Sequence, residues 1–214
     1  MSGQHAAIRR ILTRMLEASE EHVDTQVTAV QRVARELSLL SATYHGHLVR
    51  AGMQRSQLAA LEERLETAST SLSRTHFDLQ QRLFGDVQAL HYLMENTEAP
   101  EQAEDVPSDT IRAGLDAYCA DLEREHHSIG ETLGGLALQL RLLANNIEIA
   151  ASHAGGEDVL MPVDLFCTMS GLLRGLANRL RSATDDLQIF EQTQNGHAES
   201  LRMVLTGGAE GTAA

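Results

Sequence analysis

Apolar residues recur at alternating three- and four-residue steps along most of the chain, which is the seam of a long amphipathic helix. In the C-terminal half one seam runs Leu133, Leu136, Leu140, Leu143, Ile147, Ala150. A second runs Phe166, Met169, Leu173, Leu176, Leu180, Ala183, Leu187, Phe190. Between them Gly155, Gly156 and Pro162 break the period and demand a turn. Folded back about that turn, Ile147 meets Leu173, Leu140 meets Leu180 and Leu133 meets Leu187, each pair of residue numbers summing to 320. Apolar layers stay in step, as the core of an antiparallel helical hairpin requires.

The N-terminal half admits two readings. Its seam runs Val23, Val27, Val30, Ala34, Leu37, Tyr44, Leu48, then Leu58, Leu61, Leu65, Ala68, Leu72, Leu79, Leu83. A fold near residue 49, with Gly46 and Gly52 as turn formers, pairs Ala34 with Leu65 and Val27 with Leu72, numbers that sum to 99. The heptad phase also passes through that region without a slip, which suits one continuous helix. The hairpin is preferred because it gives four helices of matched length, about 40 residues each, within the range of helical bundles. The expected fold is all-α: antiparallel hairpins forming a long four-helix bundle or coiled coil, closed within one chain or in a dimer.

Residues 1–94 are thus expected to form the first hairpin and residues 110–205 the second. The stretch from Glu95 to Asp109 is acidic, holds Pro100 and Pro107 and lacks an apolar period, so it reads as a linker with Ser108 or Asp109 placed to cap the next helix. The tail 206–214, TGGAEGTAA, reads as disordered.

Composition narrows the function. The net charge of −13 argues against nucleic acid or an anionic membrane as partner. No apolar run approaches the roughly 20 residues that span a bilayer, and MSGQHAAIRR lacks a signal-peptide core, so a cytoplasmic setting is expected. Cys119 and Cys167 fit no metal or redox spacing and read as buried free thiols. No Ser/His/Asp set, phosphate-binding loop or dinucleotide fingerprint occurs; neither enzymatic activity nor a cofactor is expected.

The run Leu140–Gly155, LRLLANNIEIAASHAG, resembles the hairpin tip of the methyl-accepting chemotaxis receptor signalling domain. Leu142, Leu143, Ala144, Asn146, Ile149, Ala151, Ala154 and Gly155 match its hallmark run. Ala137 and Gln139 match the segment before it, and Phe166, Arg174, Leu176 and Ala177 echo the return helix. The chain departs from the family in its longer connection, Gly156 to Leu165, and in Thr168, Met169, Ser170 and Leu172. The resemblance implies a signalling protein acting through its hairpin tip, with a histidine kinase or coupling adaptor as partner. Asn145, Asn146 and Glu148 would then offer polar contacts and Ile149 an apolar one.

A second candidate is His126, in EREHHSIGETL, which resembles the phospho-accepting box of a histidine-kinase dimerisation domain; Ile129, Gly130 and Leu133 also match. That pattern's Asp is His127 here, which removes the base that would activate the imidazole. Phosphotransfer to a response regulator is the function this implies. The ordinary alternative places His126 opposite Gln194 in a polar layer that sets the register of the bundle. His45-Gly46-His47 reads as an exposed turn rather than a metal tract. Gly130, Gly134, Gly135, Gly171 and Gly175 signal either close helix packing or a locally yielding zone. A purely structural dimeric bundle completes the set of readings.

Overall fold

A computed structural model of the protein describes residues 3–50, 57–97, 108–153 and 163–210. It consists of four long helices: α1 (Gly3–Arg50), α2 (Gln57–Glu95), α3 (Ser108–His153) and α4 (Val163–Glu210). They pack as an antiparallel four-helix bundle. The N-terminal half is therefore a hairpin and not one continuous helix.

The helix ends have local causes. Asp109 lies in the first turn of α3, where a carboxylate suits the positive end of the helix dipole. At the end of α1, the Arg50 Nε–H donates to the Gly46 carbonyl at 3.0 Å. Past α2, the backbone amides of Asn96 and Thr97 and the side chains of both residues donate to the carbonyls of Tyr92 and Met94. Acceptors that a helix end leaves unpaired are thereby satisfied.

The bundle divides into two compact units, each drawing on all four helices. Unit 1 comprises Met1–Gln26, Leu79–Ser128 and Asp186–Ala214; unit 2 comprises Val27–Asp78 and Ile129–Asp185. In unit 1 the core includes Ile8, Leu12 and Met15 of α1, Leu90 and Leu93 of α2, Ile111 and Leu115 of α3, and Leu201 and Leu205 of α4. In unit 2 the predicted seams of α3 and α4 from Leu133 to Ile147 and from Phe166 to Ala183 are buried throughout. Full burial of each such side chain contributes about 1.5–3 kcal/mol, so the heptad seams carry the fold.

The expected register of α3 against α4 holds. Asn145 bonds to Arg174, a pair summing to 319, while Glu148 with Ser170 and Asp116 with Arg202 both sum to 318. That of α1 against α2 does not. His45 pairs with Glu62 and His91 with Glu20, sums of 107 and 111 rather than 99. Helix α1 runs on through Arg50, past the expected fold near residue 49, and residues 51–56 fall outside the described ones.

Three local expectations are corrected. His45-Gly46-His47 is not a turn but part of α1, because Tyr44 and Leu48 on either side are fully buried and outweigh the roughly 1 kcal/mol that one glycine costs a helix. Helix α4 continues through residues 206–210, where a disordered tail was expected. Buried Leu205 anchors that last stretch, and the Thr206 hydroxyl donates to the Arg202 carbonyl at 3.0 Å. Neither cysteine is buried: both are free, Cys119 half-buried and Cys167 exposed, since each lies beside the seam and not in it.

Candidate functional site

The residues singled out on the receptor-like run lie at the end of α3 in unit 2. Ile147 belongs to the buried seam, so its neighbours Asn145, Asn146, Glu148 and Ile149 are carried on the flanks and outer side of the helix. Arg174 of α4 ties two of them down. Its Nη1 and Nη2 donate to the two carboxylate oxygens of Glu148 at 2.6 and 2.7 Å, and Nη2 also donates to Asn145 Oδ1 at 3.0 Å. The Ser170 hydroxyl adds a 2.5 Å bond to Glu148. Arg174, with help from Ser170, holds the Glu148 carboxyl below the usual carboxylate range. Glu148 and Asn145 are thus committed to a cross-hairpin clamp. A planar guanidinium that grips a carboxylate bidentately fixes both side chains and the height of the two helices.

Asn146 and Ile149 face elsewhere. Asn146 is half-buried and lines a groove of about 540 Å³ between α2 and α3, together with Ala60, Glu63, Arg64, Thr67, Gln139, Leu142 and Leu143. Ile149 is 56 % exposed. Residues 154–162, about half of the expected contact surface from Asn145 to Val163, lie outside the described residues.

The outward face of α3 adds two residues that sequence reasoning did not assign to the contact surface. Leu138 and Leu142 are 59 % and 53 % exposed and stand on the same side of the helix as Ile149. Residues 132–147 hold a single charged side chain, Arg141, in a chain of net charge −13. The signal was present in the sequence: these leucines fall outside the seam of Leu136, Leu140 and Leu143, where a soluble helix normally turns polar.

His126 lies in unit 1 and its ring is almost fully buried, the side chain 1 % exposed. Its Nε2 is 3.2 Å from Asp86 Oδ2 of α2. Phe190 of α4 stacks flat on His22 of α1, centroids 3.9 Å apart, and lies 5.6 Å from the His126 ring. Burial and, next, the neighbouring His126 push the His22 imidazole down to about 4. The Gln194 Nε2 amide donates to the Met15 carbonyl at 3.0 Å and to the Ser19 hydroxyl at 3.2 Å. Tyr118 completes the layer, its phenol pushed up by burial.

The polar layer read from sequence therefore exists, with both His126 and Gln194 buried, but their hydrogen bonds reach other helices instead of each other. Asp86, which sequence reasoning missed, stands in the α2 seam between Leu83 and Leu90 and supplies the carboxylate that position 127 lacks. A carboxylate on one ring nitrogen fixes the tautomer of an imidazole and could assist it as a base. Here the ring is closed off, so a phosphoryl donor has no approach to it in this packing. Among the described residues no group of three His, Cys, Asp or Glu side chains could hold a metal ion, and no helix is long and apolar enough to cross a membrane.

No family model, curated protein or solved structure matches this chain.

Proposed function

We propose that the protein is a non-enzymatic signalling module that works by protein–protein binding through the hairpin end of unit 2, in the manner its receptor-like run implies. The observation that supports this best is the character of the α3 surface. Leu138, Leu142 and Ile149 face outward on a nearly uncharged stretch of a strongly acidic chain, and exposed apolar side chains grouped on one face mark contact surfaces. Beside them the Arg174–Glu148–Asn145 clamp ties α3 to α4 and holds those side chains in place. A preorganised surface loses less entropy when a partner binds.

The partner in this reading is a chemotaxis-type histidine kinase or its coupling adaptor, in the cytoplasm. The test is a calorimetric titration of a purified kinase–adaptor pair with the full chain and with Ile149→Asp. The substitution is expected to leave helical content unchanged and to weaken binding by about tenfold or more, the usual effect of losing a central apolar contact. Absence of binding by the unaltered chain, or equal binding by the variant, refutes the proposal. Phosphotransfer through His126 has less support, because it needs a ring open to a response regulator.

A further inference from the structure

We infer that a second copy of this chain docks on the outward face of α3 in unit 2, antiparallel to the first, about a two-fold axis at Leu142. The contact uses the same outward residues as the signalling reading, Leu138, Leu142 and Ile149, but does not rest on that reading.

The face is self-complementary about that point. Gly135 and Ile149 each lie seven residues, two helical turns, from Leu142. An antiparallel pairing centred on Leu142 therefore seats the Ile149 of each copy over the Gly135 of the other, and sets Leu138 beside Asn145 and Asn146. Gly135 is exposed, and beyond its chain neighbours and its own helix backbone nothing comes within 4 Å of where its Cβ would stand; the same is true of Gly134. A knob at one end of the stripe thus meets a flat, side-chain-free place at the other, which is what an isologous contact requires.

Charge favours the same occupant. Two copies of a chain carrying −13 repel each other over most of their surface. Along residues 132–147 the repulsion is weakest: Arg141 is the only charge on that stretch of α3, of the bordering acids Glu131 and Glu148 the second is paired with Arg174, and the flanking grooves carry balanced charges, Glu63 with Arg64 and Arg181 with Asp185. Arg141 and Glu148 lie on the same flank of the stripe, and a two-fold perpendicular to the helix brings like flanks together. Each Arg141 then points toward the other copy's Glu148, about 7.5 Å further along the axis at 1.5 Å per residue. That is within reach of an arginine side chain, and the two arginines diverge. With one helix from each copy in contact, the area lies below about 1,200 Å², so the dimer is weak and concentration-dependent.

The test uses the full chain in sedimentation equilibrium over a wide concentration range. The mass is expected to rise from 23.4 kDa toward twice that value, and Leu142→Glu, which sets two carboxylates on the axis, is expected to hold it at the monomer with helicity unchanged. In a background of Cys119→Ser and Cys167→Ser, Leu142→Cys is expected to cross-link on mild oxidation about tenfold faster than Leu138→Cys. The two copies of position 138 stand about 12 Å apart along the axis, too far for a disulfide. Three results overturn the inference: a monomer at every concentration, dimerisation by Leu142→Glu equal to the parent, or equal cross-linking at both positions. If the chain stays monomeric while Leu142→Glu abolishes binding of the purified kinase–adaptor pair, the stripe serves that partner instead. A dimer that ignores the pair sinks the signalling proposal and leaves this inference standing.

Discussion

Replacing Gly134, Gly171 and Gly175 by alanine together should stabilise the protein. Glycine inside a helix is less favourable than alanine by about 0.5–1 kcal/mol, because it surrenders more backbone freedom on folding. That gain is realised only where the added methyl meets no neighbour. At each of these three positions, beyond the chain neighbours and the helix's own backbone, nothing comes within 4 Å of the place a Cβ would occupy. The expected total is therefore about 1.5–3 kcal/mol, or roughly 4–10 °C in melting temperature for a chain of this size. Gly135 is left out because the proposed dimer seats Ile149 there.

The control has the opposite sign. A Cβ on Gly114 would stand 2.5 Å from the Leu93 Cδ2 methyl, and Leu93 is 2 % exposed in the core of unit 1. Moving a packed core side chain costs about 1–3 kcal/mol. After the gain in helix propensity, Gly114→Ala should lose about 1 kcal/mol. Thermal melts followed by circular dichroism, with urea titrations for the free energies, measure both. If the triple variant melts no higher than the parent, or Gly114→Ala melts no lower, the reading of these helix faces is wrong. Close helix packing does not explain the glycines at 134, 171 and 175, whose surroundings are open.

Acidification should destabilise the protein through His22. Its folded-state value near 4 lies below the ordinary 6.5, so the unfolded chain binds more protons between those values. This contribution is present above about pH 6.5 and is lost as pH falls toward 4, on the order of 3 kcal/mol, and His22→Gln should flatten that slope in urea titrations across the range. Removing His126 should leave buried Asp86 without its hydrogen-bond partner and cost about 1–3 kcal/mol. The double replacement His126→Leu with Asp86→Leu should cost less than the two singles summed; additive losses in the mutant cycle would show that the pair is not coupled. Arg174→Ala should let the Glu148 carboxyl rise toward its ordinary value while helical content stays the same. An NMR titration reads this directly, and an unmoved value would mean that Arg174 is not what holds it down.

How far the sequence could be read depended on what fixed each register. Heptad seams alone identify helices and their buried faces, and the buried residues of α3 and α4 follow the expected positions from Leu133 to Phe190. They do not say how two helices slide, because a heptad run matches another at every seventh residue. In the C-terminal half Gly155, Gly156 and Pro162 marked the turn and selected one alignment. In the N-terminal half Gly46 gave a false mark, since a glycine flanked by buried Tyr44 and Leu48 stays helical. The misplaced turn then hid Asp86. With α1 and α2 paired near a sum of 109, Asp86 arrives at the height of His22; with the sum at 99 it falls more than two turns away. The exposed Leu138 and Leu142 were not assigned to a contact surface for a different reason: a seam search rewards apolar residues on the line and passes over those beside it.

The same degeneracy explains why the bundle keeps a polar layer of buried Asp86, His126 and Gln194 with half-buried His22. Sliding α2 by one heptad would exchange leucine for leucine along most of the seam at little cost. At this one height the slide would set Leu79 or Leu93 against His126 and leave the Asp86 carboxylate among apolar side chains. An unpaired buried charge costs several kcal/mol, against a total stability of about 5–15 kcal/mol for a typical domain. One polar layer is therefore enough to make a single alignment the stable one. It acts on the register of all four helices, since Asp86 reaches α3, Gln194 reaches α1, and Phe190 of α4 stacks on His22 of α1. What the layer holds in place in unit 1 is alignment, while the open glycines and outward leucines of unit 2 leave a face of α3 available for contact.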